Sequence, residues 1–442
     1  MKSIAILGGG LSGLTQAWKA QKSGKKVTIF EENSRLGGVI QSERTKEGFL
    51  LDYGPNSLSL RKQNLSEMLE QLDILDHAID ANVIAKKRFI VRAGKLVALP
   101  LNFPTFLSSR FLSPIGKLRI LLEPFIRKSK SNSESVAQFI ERRLGREVLD
   151  YAANPFLGGV FAARPETLSL PNAFPALAEM ERQNGSIFRG FLASRKKSNR
   201  MEKTRLISFP NGMEELITRF EMKVQCSILR KHSAKEIESV HQNGWKIKCT
   251  SENGSQSILH FDELICTLPA TQISSIKWTN VKNSKDLNVL STAPHFPLSL
   301  VFLGFEREQI EHPLDGFGFL VPELENRKIL GTLFSSTLFS NRAPEGKVLL
   351  TTFVGGERQP HLAEMNDGSL FQSVSDELSC LLGVKGKPIF QKIKRWPLSI
   401  PLPDSRMSER KDAARRLSSL NNGLSFFGSH LTGVSLPNCL EG

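Results

Sequence analysis

Ile4-Ala5-Ile6-Leu7-Gly8-Gly9-Gly10-Leu11-Ser12-Gly13-Leu14 is the stretch on which the reading of this chain turns. Four apolar residues make a short buried strand. Gly8, Gly10 and Gly13 then have G-x-G-x-x-G spacing where a helix must begin. Gly8 permits a tight turn, Gly10 lets the backbone approach a pyrophosphate, and Gly13 lets helix and strand pack closely. The pyrophosphate charge meets unpaired amides at the positive end of the helix. Leu14 to Ser23 continues as that helix, and Lys25 to Phe30 reads as a second strand ending at Glu31, 18 residues after Gly13. A carboxylate there accepts hydrogen bonds from both hydroxyls of an adenosine ribose and repels a 2′-phosphate. A glycine turn in an unrelated α/β protein would leave Glu31 to chance. The spacing therefore predicts a βαβ dinucleotide-binding unit.

Outward from this unit, Arg35-Leu36-Gly37-Gly38 offers a further close backbone approach to the same ligand. Asp52-Tyr53-Gly54-Pro55-Asn56-Ser57 makes a rigid turn. At the far end, Phe427-Gly428-Ser429-His430-Leu431-Thr432-Gly433-Val434 again puts glycines after a strand. A first βαβ unit matched by a C-terminal glycine element suits a long cofactor and favours FAD over NAD.

The chain has 442 residues, 40% hydrophobic and 23% charged, which is the composition of a folded protein with two or three cores. Its net charge of +15 suits nucleic acid, an anionic membrane or a carboxylate-rich substrate, and says nothing of fold. Tyr and Trp are scarce and no nucleic-acid motif occurs, so nucleic acid is the least supported partner. Five cysteines with no C-x-x-C argue against a disulfide framework and a zinc site, and favour reduced cytoplasmic thiols. No signal-peptide pattern opens the chain, and no stretch reaches the roughly 18 apolar residues of a spanning helix.

Asn64 to Leu75 has helical spacing, and Lys87 to Leu99 reads as strand, turn, strand. Pro104 to Ile126 is rich in Phe, Leu and Ile and reads as a helical run, either core or membrane-facing. The basic segments 127–133 and 194–205 read as exposed loops. After the turn at Pro210-Asn211-Gly212, a helix is expected over Met213 to Phe220. Strands follow near Ser227–Leu229, Trp245–Thr250, Glu263–Thr267, Val301–Phe305, Phe319–Pro322 and Val348–Val354, and a helix over Asp376 to Leu382.

These motifs together resemble the protoporphyrinogen oxidase family of amine-oxidase-like flavoproteins, over nearly the whole chain. GGGLSGL, VTIFEENSRLGG and FLLDYGPNS are similar to that family's N-terminal signature. Gly158-Gly159-Val160-Phe161-Ala162, Phe209-Pro210-Asn211-Gly212-Met213, Gly316-Phe317-Gly318-Phe319-Leu320-Val321-Pro322, Gly355-Gly356-Glu357-Arg358 and Phe427 to Cys439 extend the resemblance. It implies FAD contacts at Gly8, Gly9, Gly10, Leu11, Ser12, Gly13, Leu14, Glu31, Arg35, Gly37, Gly38, Gly54, Pro55, Asn56 and Ser57. It also implies contacts at Ala234, Gly433, Val434, Ser435 and Leu436. Arg88 aligns with a propionate-binding arginine, although its neighbours Lys86 and Lys87 suit a solvated side chain equally. Gly318 and Leu320 align with residues that touch the macrocycle. The implied fold is α/β and α+β: a Rossmann-type FAD-binding domain (1–75, 206–270, 396–442) with an inserted mixed-sheet substrate domain (271–395) and a helical substrate and membrane-facing region (76–205). The family's helix after the C-terminal motif is expected to be missing or very short. Pro401-Leu402-Pro403-Asp404 departs from the family's P-Q-Y.

The resemblance implies six-electron oxidation of a porphyrinogen, with oxygen as the acceptor, in the cytoplasm or on the inner face of the membrane. Such a substrate needs a large apolar cavity with few charges, and 28 Phe against 2 Tyr suits walls that cannot act as acids. No catalytic acid or base and no metal ligand is singled out. His295, His312 and His430 read as structural or exposed. Protoporphyrinogen and coproporphyrinogen both remain open as substrates, as do monomer and homodimer. An amine or carotenoid oxidoreductase is less well matched by the Gly-Pro-Asn-Ser turn.

Overall fold

Ser3–Leu7 and Lys26–Glu31, the strands flanking the glycine turn, run parallel with Leu7 opposite Phe30. Ile4 to Leu7 is buried on both sides, as a parallel sheet covered on both faces requires. The sheet has five parallel strands in the order Ser227–Arg230, Lys26–Glu31, Ser3–Leu7, Glu263–Cys266, Leu424–Phe426. The helices Leu11–Lys22 and Glu214–Lys223 pack on one face, with Leu14, Ala17, Leu216 and Phe220 in a common core. The helix Met407–Leu420 packs on the other through Ala413 and Leu417. The computed structural model describes residues 1–60, 63–100, 102–129, 133–197, 204–240 and 244–442, with backbone alone at 63–64 and 195–197.

A second, mixed sheet has seven strands. Their order is Phe390–Trp396, Leu298–Glu306, Lys347–Gly355, Gly331–Phe334, Gly316–Leu320, Lys87–Arg92, Lys95–Ala98. Every pairing is antiparallel except that of Gly316–Leu320 with Lys87–Arg92. The helix Asp367–Leu382 covers one face through Leu370, Val374 and Leu378. It starts well before the expected Asp376, because the Asn366 side chain accepts from the Ser369 amide and caps it.

The apolar run Pro104 to Ile126 is not one helix. It divides into Phe103–Ser108, Pro114–Leu121 and a short turn at Glu123–Phe125. Asn102 forms a capping box with Thr105, Ser113 caps the second helix, and Pro114 is tolerated only as a first helical residue. The segment expected as a basic loop over 194–205 begins inside the helix Ile187–Lys197 and ends in the strand Arg205–Ser208. Residues 198–203 of it, and 130–132 of the other basic segment, lie outside the described residues. A fully buried arginine, Arg143, ties this region together. It bonds Glu123 Oε1 at 3.0 Å, Glu181 Oε1 at 2.7 Å and the Ile126 carbonyl at 3.0 Å. Among the described residues no helix is long and apolar enough to cross a membrane.

Candidate active site

The glycine turn has the geometry its spacing requires. Gly8 adopts φ +95° and its amide donates to Phe30 O at 2.9 Å. A Cβ on Gly13 would lie 1.9 Å from Gly8 O, so strand and helix meet at a distance only glycine allows. No atom comes within 4 Å of the Cβ position of Gly10, which leaves its outer side open to a ligand. Leu11, Ser12, Gly13 and Leu14 form the first turn of the helix. Glu31 is buried at the sheet's carboxyl edge. Its Oε2 accepts from Gly9 N at 2.9 Å and its Oε1 from Asn33 N at 2.9 Å. The carboxylate is thus aimed and has lone pairs to spare for a ribose. These residues fit the adenosine half of a dinucleotide.

Two further segments close on the turn. Gly37 N donates to Gly9 O at 2.8 Å. Arg35 wraps this loop, donating from Nη1 to Leu36 O at 2.8 Å and Ile40 O at 3.0 Å, and from Nη2 to Gly38 O. Its guanidinium therefore shapes the backbone that faces a ligand. A Cβ at Gly54 would strike Val39 O at 2.2 Å, so the turn Gly54–Ser57 lies flush against the same loop. Asp52 anchors that turn. It accepts from Ser42 Oγ at 2.6 Å and Met213 N at 2.8 Å, and pairs with Arg342 at 3.1 Å. Burial raises the Asp52 carboxyl pKa, and Arg342 and the hydrogen bonds oppose the rise.

The C-terminal element completes the cradle. Gly433 has φ +108°. Ser435 caps the short helix Leu436–Glu441, its Oγ accepting from Asn438 N at 3.3 Å. So a helix does follow the motif, and it is short. Gln16 Nε2, on the helix that follows the glycine turn, donates to Gly442 O at 2.6 Å. Ala234 stands at a bulge in the strand His232–Val240. That strand follows Ser227–Arg230, whose Arg230 pairs with Glu31. The element's buried His430 has its pKa pushed down to about 4 by burial, and by the charge of Arg410.

Arg88, Gly318 and Leu320 come together on adjacent strands. Leu320 pairs with Ile90, so strand alternation puts Gly318 and Leu320 on one face with Arg88 and Ile90, after a register shift between Gly316 and Phe319. Arg88 is exposed, its guanidinium 5.1 Å from the Phe317 ring and 3.5 Å from Lys86 O. Leu320, Phe296, Ile400 and Val434 are all partly buried and pack against the same apolar cluster. A small cavity is lined by Gly54 and Asn56 together with Asp52, Leu333, Phe353 and Arg342. Leu333 pairs with Gly318. Sequence reading missed Leu333, Phe353, Phe296 and Ile400, since apolar strand residues carry no mark of which cavity they face.

The sequence profile of the flavin containing amine oxidoreductases matches residues 11–441. The chain is 33% identical to protoporphyrinogen oxidase 2, chloroplastic/mitochondrial, of Arabidopsis thaliana, over 98% of this chain and 91% of that protein. It is 27% identical to coproporphyrinogen III oxidase of Staphylococcus aureus, over 99% and 97%. Among solved structures, a protein from Exiguobacterium sp. with a provisional protoporphyrinogen oxidase assignment superposes with TM-score 0.81 at 22% identity, covering 100% of this chain and 96% of the other. The chain belongs to the flavin containing amine oxidoreductase family and is an FAD-dependent oxidoreductase.

Proposed function

We propose that this enzyme oxidises protoporphyrinogen IX to protoporphyrin IX, with oxygen as the electron acceptor. The observation that carries the reading is the placement of Arg88 beside Gly318 and Leu320 on adjacent strands, with Leu320 and Val434 both packed against one apolar cluster. A tetrapyrrole needs an apolar surface against its ring and a cation at its rim for a propionate. Bound FAD supplies a two-electron acceptor, so removing six electrons takes three cycles. Aromatisation provides driving force, which leaves the protein to bind, orient and exclude water. Gly8 to Leu14, Glu31, Ala234 and the Gly433–Leu436 element hold the cofactor in this reading. Gly54 to Ser57 bring it against the cavity, Leu320 and Gly318 meet the macrocycle, and Arg88 pairs with a carboxylate. Residues 1–75, 206–270 and 396–442 act as the cofactor domain, and 76–205 with 271–395 as the substrate side.

The test is aerobic turnover of protoporphyrinogen IX and coproporphyrinogen III by the flavin-loaded enzyme, with porphyrin fluorescence and oxygen uptake followed together. Faster oxidation of the dicarboxylate, with oxygen consumed in step, supports the reading. Preference for the tetracarboxylate replaces it with coproporphyrinogen III oxidation, which the relative from Staphylococcus aureus makes the second reading. No porphyrin formed from either, with flavin that stays oxidised when each is added anaerobically, removes both.

The helical region also suits the cytoplasmic face of an anionic membrane. Phe103, Leu107, Ile115, Leu118, Leu121, Leu122 and Phe125 are all exposed, and basic Arg127 and Lys128 follow them. Each cation near such a surface contributes about 1 kcal/mol. Flotation with phosphatidylserine vesicles but not with phosphatidylcholine vesicles is the expected outcome, and equal recovery with both would end this part of the proposal.

A further inference from the structure

The loop Gly355–Arg358, which follows the strand Lys347–Gly355, grips a short helix at both ends. At the start of the helix Asn154–Phe161, Arg358 Nη2 donates to Asn154 O at 2.6 Å and to Asn154 Oδ1 at 2.7 Å. At its end, Glu357 N donates to Ala162 O at 2.8 Å, and Glu357 Oε2 accepts from Arg164 N at 2.7 Å and Thr167 Oγ1 at 2.8 Å. Two consecutive residues thus span an element about 12 Å long. The remaining guanidinium amine, Nη1, donates to Val321 O at 2.7 Å, immediately after the strand Gly316–Leu320. Asn154 Oδ1 in turn accepts from Glu323 N at 2.9 Å. One side chain, 5% exposed, therefore bonds both the helix and the strand that carries Gly318 and Leu320.

The two elements are set at a distance with no slack. A Cβ at Gly158 would lie 2.6 Å from Arg358 Nη2, and one at Gly159 would lie 2.5 Å from Leu320 Cδ2. Phe156 and Val160 are exposed on the same side of the helix as Gly159, so its apolar face continues the wall begun by Leu320. The helix cannot fix its own height. It is preceded by a π-turn over Leu149–Ala153 and carries Pro155 in its first turn, so its entry is irregular.

We propose that Arg358 is a positioning residue for the substrate. By tying Asn154 to Val321 it holds the helix Asn154–Phe161 in contact with Leu320, and so fixes the apolar face these two elements present to the macrocycle. The inference rests on the porphyrinogen reading for the identity of the occupant, but the clamp itself does not.

The experiment uses the flavin-loaded enzyme and the variants Arg358→Met, Arg358→Lys and Gly158→Ala. Methionine keeps the volume and removes all three bonds. Lysine keeps one donor but cannot span both acceptors. Alanine at 158 presses on the guanidinium from the helix side. Expected for Arg358→Met is a roughly tenfold rise in KM, a kcat within threefold of wild type, and an unchanged flavin content and visible spectrum. Arg358→Lys and Gly158→Ala should fall between it and wild type. The dissociation constant of protoporphyrin IX, titrated by fluorescence without turnover, should rise in parallel with KM. Amide hydrogen exchange should quicken at 154–161 and 316–321 in Arg358→Met. A variant that loses thermal stability while KM and the porphyrin dissociation constant stay at wild-type values would assign Arg358 a purely structural role. Exchange unchanged at those two segments would overturn the clamp whatever the substrate proves to be. Failure of wild type to oxidise either porphyrinogen would instead fall on the functional reading alone.

Discussion

Glu31 holds two backbone amides at once, one on the glycine turn and one on its own strand end. Glu31→Gln replaces one acceptor oxygen by an amide NH2, which then faces the buried Gly9 N–H or the partly buried Asn33 N–H. A buried donor left unsatisfied costs about 1–3 kcal/mol, so the variant should lose up to that much stability in chemical denaturation of the apoprotein. Arg88 shows the opposite situation, an exposed cation with no buried partner to lose. Arg88→Ala should leave folding and flavin content alone and raise KM for a porphyrinogen about thirtyfold, within the range of a charge-assisted hydrogen bond of about 1.5–3 kcal/mol. His430 couples the site to acid. Its folded pKa of about 4 lies below the unfolded value of 6.5, so the unfolded chain binds the extra proton first. The associated stability is complete above pH 6.5 and is lost as pH falls from there towards 4. Denaturant unfolding at pH 7 and pH 5 should differ by about 2 kcal/mol from this group, and His430→Asn should flatten that difference. The G-x-G-x-x-G residues and Glu31 were legible because each serves a local backbone need. Leu333 and Phe353 were not, because what makes them cavity residues is their pairing partners across the sheet.

Helices and strands show where local reading reaches its limit. The βαβ unit follows from apolar run, glycine spacing and acidic strand end, all within thirty-odd residues of chain. Gly13→Ala puts a methyl carbon where Gly8 O already stands. The helix Leu11–Lys22 must then lift off the strand, and the expected outcome is a protein purified without flavin. The run from Pro104 was harder. Its composition describes a buried or lipid-facing helix, whereas its caps at Asn102 and Ser113 describe two helices, and the caps decide. The helical region depends on Arg143, which no pattern in the sequence distinguished from the other basic residues. Arg143→Met leaves the Glu123 carboxylate buried without its cation, a loss of about 3–5 kcal/mol. Limited proteolysis should then cut first between 103 and 197, with the nucleotide sheet still resistant.

The +15 charge looks different once the whole molecule is laid out. Arg143, Arg342 and Arg410 are buried against Glu123, Asp52 and Asp404, so these cations are structural and, being matched by carboxylates, add nothing to the excess. Exposed Arg127 and Lys128 beside exposed Phe125 and Leu122 form the portion that suits a charged interface. The overall architecture was legible in kind, as a nucleotide sheet with a mixed sheet beside it, because strand patterns and glycine elements recur at separated places. The order of strands was not, since it is set by contacts across hundreds of residues. That order has a consequence for biosynthesis. The nucleotide sheet draws its strands from residues 3–31, 227–230, 263–266 and 424–426. A ribosome adding about 5–20 residues per second delivers the glycine turn tens of seconds before the last of these strands. During that interval the nascent chain carries the glycine turn without the C-terminal strand and helix that pack beside it. Completion of the site therefore waits for the strand Leu424–Phe426, and until it pairs Glu263–Cys266 presents an open strand edge.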